Sequence, residues 1–251
     1  MDNFLQIKNV SKTFANQDNK TKEVLKDISF TVKENEFIVV FGPGQCGKTT
    51  LLNIIAGLDK PTSGSVEIKC SPIKGPGPDR AVVFQNIMLF PWMTALENVE
   101  YTQKIRGFDK TKRRQDAQKY IDLVGLSGFE NAYPVKLSGG MKQRVGIARA
   151  YCAHPDVLLM DEPFGALDAQ TRYLMQDEVI RISNTEKRTV LFVTNNIEEA
   201  IYLADRIIVL TDCPSTVLED IKVDIPRPRS QVDKEFLRLR KEISALTHRI
   251  R

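Results

Sequence analysis

The chain has 251 residues, 42% of them hydrophobic and 27% charged, with 36 Lys and Arg against 32 Asp and Glu. That composition suits one large globular domain or two small ones and excludes a disordered chain. The excess of +4 lacks the concentrated basic patch of a nucleic-acid binder, and no apolar run approaches the roughly 20 residues of a bilayer span. The opening Met1-Asp2-Asn3 puts no basic region ahead of an apolar stretch, so no signal peptide is expected. Cys46, Cys70, Cys152 and Cys213 stand far apart with no CxxC pair, which reads as reduced thiols rather than a zinc site or a disulfide framework.

Ile28, Phe30 and Val32 alternate with Ser29 and Thr31, the period of two of a half-buried strand. The run 37–41 is continuously apolar and closes on glycine, as for a strand buried on both faces. Short β-rich runs follow at 66–68 and 81–84, separated by the loop Gly75-Pro76-Gly77-Pro78. Between about 86 and 154 the chain turns polar and helix-compatible. There Lys110, Lys112, Arg113 and Arg114 lead into Ala117, Tyr120, Ile121 and Val124 at helical spacing, so the charged run reads as a solvated face.

Strands are expected again at 157–160, 190–193 and 207–210, with helices at about 170–184 and 197–204. The tail holds Pro226 and Pro228, then Phe236, Leu237, Leu239, Ile243 and Leu246 in a helix-like run, with eight Lys/Arg against three Asp/Glu between Arg227 and Arg251. A docked surface helix is expected, with membrane or partner contact as the alternative. Strand–helix alternation predicts an α/β fold whose sheet is mostly parallel at its centre. The expected divisions are a nucleotide-binding core in two parts (1–85 and 156–225), a helical subdomain (86–155) and a basic helical tail (226–251).

Gly42-Pro43-Gly44-Gln45-Cys46-Gly47-Lys48-Thr49 fits the G-x-x-x-x-G-K-[ST] pattern, after an apolar strand and before the helix start Leu51, Leu52, Ile54, Ile55. Glycines let backbone N–H groups converge on phosphate oxygens, and a helix N-terminus adds positive partial charge. Lys48 is expected at the β and γ phosphates and Thr49 on Mg²⁺; Thr50 is counted with the nucleotide-binding residues. Cys46 falls at that helix N-terminus, where a thiol's pKa tends to fall, but it reads as a small residue that merely fits rather than as a redox group. The run 157–160 leads into Asp161-Glu162. With a phosphate loop upstream, that pair reads as a carboxylate for Mg²⁺ (Asp161) and one that polarises the attacking water (Glu162). Bound ATP and Mg²⁺ are therefore expected.

Leu137-Ser138-Gly139-Gly140-Met141-Lys142-Gln143-Arg144 resembles the signature of ABC-transporter ATPases, and the resemblance extends over nearly the whole chain. It implies a P-loop NTPase core with a mixed, centrally parallel sheet, an antiparallel β subdomain and an inserted helical subdomain. It also implies roles. Gln85 is similar to the Q-loop glutamine, both catalytic and metal-binding; Gly165-Ala166-Leu167-Asp168 is similar to the D-loop; Phe14 is similar to the aromatic that stacks on adenine, its other reading being a core residue. Ser138, Gly139 and Gly140 open a helix and form a second anion cradle. In the family that cradle closes over nucleotide on a partner's phosphate loop, so a second ATPase subunit, most simply a homodimer, is implied.

The apolar segment 86–99, with Phe90 and Trp92 as anchors, is where relatives receive a transmembrane permease; core packing of the insert is the other reading. The segment 164–172 with Pro226-Arg227-Pro228-Arg229 is similar to the nitrate, sulfonate, taurine and bicarbonate importers. That implies a peripheral subunit at the cytoplasmic face of the membrane, powering uptake of a small anion and coupled only indirectly to a periplasmic or extracellular solute-binding protein. No nucleic acid is expected, since tandem cassettes and long coiled-coil inserts are absent.

Two departures from the family stand out. In Thr194-Asn195-Asn196-Ile197-Glu198-Glu199-Ala200 the register puts Asn195 at the position of the switch histidine. Asn donates a hydrogen bond but carries no proton or charge near neutral pH. Two outcomes follow: slow turnover with Asn195 as a catalytic-site residue, or a nucleotide switch whose partner hydrolyses. Second, Gly44-Gln45 stands where relatives commonly have Ser-Gly; Gln45 then needs a backbone conformation that a side chain tolerates, with Gly44 the alternative place to absorb the shift, and nucleotide binding is expected to survive.

Overall fold

A computed structural model describes residues 3–15, 21–86, 88–165 and 167–248. Ile87 of the apolar segment and Ala166 of the D-loop string lie outside the described residues, as do Met1 and Asp2 of the opening and Arg249 and Arg251 of the basic tail. By contacts the chain forms two compact units, residues 1–77 with 189–251, and residues 78–188.

The first unit opens with β1 (Asn3–Ala15), antiparallel to β2 (Thr21–Lys33). Burial of Ile28, Phe30 and Val32 with Ser29 and Thr31 exposed is the alternation read from sequence. Then come β3 (Phe37–Phe41), buried at every residue, α1 (Lys48–Ala56), β4 (Ser63–Ile68) and the short β5 (Ser71–Pro72). The order β2-β1-β4-β5 makes a separate antiparallel sheet. Phe14 is no core residue: it sits at the end of β1, 40% exposed, with Lys12 Nζ 4.8 Å from its ring centroid.

The second unit begins with β6 (Arg80–Val83), followed by α2 (Ala95–Ile105) and α3 (Lys110–Leu123). The sequence Thr94-x-x-Glu97 starts α2 through a reciprocal capping box: Glu97 N donates to Thr94 Oγ1 at 3.2 Å and Thr94 N to Glu97 Oε2 at 2.9 Å. The stripe Ala117, Tyr120, Ile121 and Val124 is buried and Lys110, Lys112 and Arg114 face solvent, as helical periodicity required. After a 3₁₀ turn (Pro134–Lys136) come α4 (Gly139–Cys152), β7 (Val157–Asp161) and α5 (Ala169–Thr185). The strands β6 and β7 pair in parallel, Arg80 opposite Val157 and Val83 opposite Met160.

The chain returns to the first unit with β8 (Thr189–Thr194), α6 (Ile197–Leu203), β9 (Arg206–Leu210), β10 (Val217–Lys222) and α7 (Lys234–His248). The central strand β3 is parallel to both β8 and β9, with Val39 opposite Phe192 and Ile207, while β10 runs antiparallel along β9. The expected mixed, centrally parallel sheet is therefore present. The tail helix docks as expected: Phe236, Leu239 and Ile243 are buried, and α7 packs on α6.

Candidate active site

The phosphate loop is shaped by what its glycines leave out. A Cβ on Gly42 would lie 2.9 Å from Cys46 Sγ and 3.2 Å from Leu210 Cβ. Gly47, at φ 106°, would bring one to 2.8 Å from Val24 Cγ1 and 2.9 Å from Leu25 Cδ2. Lys48 is buried, and its Nζ donates to Gly42 O at 3.0 Å and Pro43 O at 2.7 Å, so the loop wraps its own cation. The start of α1 has no side-chain cap and no acidic residue in its first turn. A cationic, glycine-walled turn on a helix N-terminus without competing carboxylates fits a polyphosphate.

At two positions of this loop the structure chooses between the readings the sequence left open. Gly44 does not absorb the conformational shift: Gln45 itself takes the left-handed region at φ 64°, whereas Gly44 is not among the positive-φ glycines. The glutamine side chain is exposed there, so it meets no wall, and the conformation costs about 1–2 kcal/mol locally. Cys46 is not activated by the helix terminus. Burial dominates and raises its thiol pKa, with Lys48 only partly opposing, so Cys46 is a loop filler.

Asn195 follows the last residue of β8 and is exposed. Its neighbours are fixed around it: Asn196 caps α6 by accepting from Glu199 N at 3.1 Å, and the buried Thr194 hydroxyl donates to Glu199. One open cavity of about 330 Å³ is lined by Gly42, Pro43, Gly44, Asn195 and Thr247. The residue at the expected switch position thus shares a cavity with the phosphate loop.

The second unit carries the remaining site residues. β7 ends on the buried Asp161, and Glu162 adopts φ 42°. Left-handed backbone at a non-glycine costs about 1–3 kcal/mol and persists where the surroundings enforce it. Here Gly165 N donates back to Glu162 O at 3.0 Å. A Cβ on Gly165 would lie 3.4 Å from both Gln85 Nε2 and Glu162 O, so Gln85, Glu162 and the D-loop glycine are brought together. Within this unit, the amide oxygen of Gln85 and the carboxylate of Asp161 are donor chemistry that suits Mg²⁺.

Ser138 is the N-cap of α4, accepting from Met141 N at 3.3 Å; it is exposed, as is Gly139. A Cβ on Gly140 would lie 3.0 Å from Thr171 Cγ2, which sets the start of α4 against the start of α5. There Asp168 caps α5, its carboxylate accepting from Thr171 N at 3.0 Å and Thr171 Oγ1 at 2.7 Å. Those bonds hold the Asp168 carboxyl below its ordinary range. Two helix N-termini therefore converge on one face of this unit.

In the apolar segment Trp92 is 69% exposed and Met88 also faces out, whereas Phe90 is half-buried, 4.4 Å from Tyr101 and 5.6 Å from Trp92 between ring centroids. Sequence reasoning missed what holds this loop. The fully buried Asn98 accepts from Phe90 N at 2.8 Å and donates to the carbonyls of Phe90, Met93 and Thr94 at 3.2, 3.1 and 2.9 Å. A polar residue on the buried side of a helical pattern was the available signal.

The sequence pattern of the ABC transporter family matches residues 25–165. An uncharacterized ABC transporter ATP-binding protein of Methanocaldococcus jannaschii is 51% identical over 95% of this chain and 89% of its own length. The nitrate import ATP-binding protein of Synechocystis sp. is 42% identical over 96% of this chain and 94% of its length. The bicarbonate transport ATP-binding protein of Synechococcus elongatus is 43% identical over 97% of this chain, which spans 38% of that longer protein. Among solved structures, a dimeric ATP-binding cassette in a post-hydrolysis state with ADP and Pi superimposes with a TM-score of 0.77 at 34% identity, covering 88% of this chain and all of that one.

Proposed function

Because this chain belongs to the ABC transporter family of ATP-binding subunits and is an ATPase of that type, we propose that it powers uptake of a small inorganic or organic anion of the nitrate and bicarbonate class. The observation that carries the ATP chemistry is the glycine-walled loop closed on Lys48. Backbone N–H groups of the loop and α1 hold the phosphates, and Lys48 bridges the β and γ groups. Thr49, Gln85 and Asp161 would be the residues to hold Mg²⁺, which would supply charge neutralisation at the phosphates when bound. Glu162 accepts the proton of the attacking water. Asn195 donates a neutral hydrogen bond on the γ-phosphate side.

Ser138, Gly139 and Gly140 form the second cradle, which takes the nucleotide of a second copy; dimeric solved relatives support this. Phe14 stacks on adenine, and Asp168 orders the approach to the partner. The subunit acts at the cytoplasmic face of a membrane. Among the described residues no helix is long and apolar enough to cross one, so attachment falls to permease subunits, which contact Phe90 and Trp92. A solute-binding protein joins only through those subunits.

The neutral side chain at position 195 sets the rate. Replacing one preorganised transition-state contact changes turnover by about 10²–10³, so Asn195→His is expected to raise kcat at least about tenfold with little change in KM. Steady-state phosphate release measures it; an unchanged or lower kcat would show that histidine has no missing task to resume. For docking, Trp92→Ala is expected to lose most of its retention on washed membranes containing the assembled importer while staying folded, since exposed aromatic anchors dominate such contacts. Retention equal to the parent's refutes docking there.

A further inference from the structure

The tail has no task in the mechanism above, yet it reaches the phosphate loop. Thr247, on the last described turn of α7, lines the same cavity as Gly42, Pro43, Gly44 and Asn195. Its position is built, not incidental. Phe236, Leu239 and Ile243, at helical spacing, bury one face of α7. Arg240 Nη2 sits 3.2 Å from Glu198 Oε1, in the first turn of α6, which begins two residues after Asn195. Thr247 Oγ1 donates to Ser244 O at 2.9 Å, which satisfies the hydroxyl proton within the helix and fixes the side chain.

We propose that α7 is a working wall of the ATP site, with Thr247 a positioning residue that faces the triphosphate beside Asn195; this rests on the nucleotide reading given above. The apolar stripe packs the helix on α6, and the Arg240–Glu198 pair lies near the turn that carries Asn195. An uncharged, small residue at 247 leaves room for a strongly anionic group. A charge placed there meets that group across the short span of one cavity, where screening is weaker than between charges a Debye length apart.

The test exploits the sign of the charge, which a purely structural role would not follow. Equilibrium binding of MgATP is measured for Thr247→Glu, Thr247→Gln and Thr247→Lys, with melting curves to confirm folding. Thr247→Glu is expected to weaken ATP about tenfold or more relative to Thr247→Gln, and Thr247→Lys to bind at least as tightly as Thr247→Gln. The gap should narrow as salt rises and be smaller for ADP. Should the Glu variant fail to fold, the Lys–Gln pair carries the comparison, with Lys expected about threefold tighter. Equal affinities across the folded variants, or equal losses regardless of sign, would overturn the proposal. Lys48→Met separates the two layers: if it binds ATP like the parent, the nucleotide reading itself has failed.

Discussion

Lys48→Met is expected to abolish ATP binding and turnover together, whereas Glu162→Gln is expected to abolish turnover and leave binding in place. The difference follows from where each group sits. Lys48 is buried with its ammonium on the carbonyls of Gly42 and Pro43, so methionine removes both the loop's internal clamp and the cation that faces the phosphates. Charge-assisted hydrogen bonds contribute about 1.5–3 kcal/mol each, and losing two or more weakens ATP by about 10²-fold or beyond. Glu162 stands on a left-handed turn pinned by Gly165 N. Glutamine keeps its shape but cannot accept a proton, a loss of about 10²–10⁴ in rate. ATP titration and phosphate release on both variants separate the outcomes. Substantial turnover by Glu162→Gln would remove Glu162 as the base, and parent-like binding by Lys48→Met would remove the loop as the phosphate site.

How much of this was legible in the sequence depended on whether a residue's partner was local. The β3 strand and the loop after it were readable because burial on both faces leaves an unbroken apolar run. The stripe on α3 and the docked face of α7 were readable from helical period. β1 was not. Its pairing with β2 shifts register between Ile7 and Val10 and again before Lys12, with Asn9 at φ 47°, and each bulge flips the alternation that would mark a strand. β10 stayed hidden because an edge strand half-exposed along its length has no apolar signature. In the site, the residue types and their order were legible. The conformation of Gln45, the inert burial of Cys46 and the four hydrogen bonds of Asn98 were not: the partners of Asn98 lie only four to eight residues away, but backbone dihedrals, burial and the folding of a loop onto one side chain leave no mark in residue type.

Arg229→Met is expected to be the most destabilising single change in the first unit, by about 3 kcal/mol or more. The string Pro226-Arg227-Pro228-Arg229, similar in sequence to the anion importers, has a mechanical role here. The last carbonyls of a helix lack intrahelical donors. At the end of α6 the buried Arg229 guanidinium supplies them, donating to Ile201 O at 2.6 Å, Tyr202 O at 3.2 Å and Ala204 O at 2.7 Å, and also to Ile225 O at 2.8 Å. Arg227 donates to Leu203 O and, at 2.6 Å, to Asp205, whose other oxygen accepts from Phe37 N at 2.9 Å. The tail thereby ties the end of α6 to the start of β3, the strand that delivers the phosphate loop. Methionine fills the volume but leaves the carbonyls without donors; lysine, a point charge without the planar fork, recovers only part. At about 2–4 °C per kcal/mol, melting should fall by roughly 6–12 °C for methionine and less for lysine. Burial pushes the Arg229 pKa down to about 10, below the ordinary arginine range. The unfolded chain therefore binds that proton more tightly, and this group makes stability rise with pH only above about 10. Near neutrality it is charged in both states, so the methionine loss should be constant from pH 6 to about 9; a loss confined to one end of that range, or a melting point within about 2 °C of the parent's, would refute the clamp.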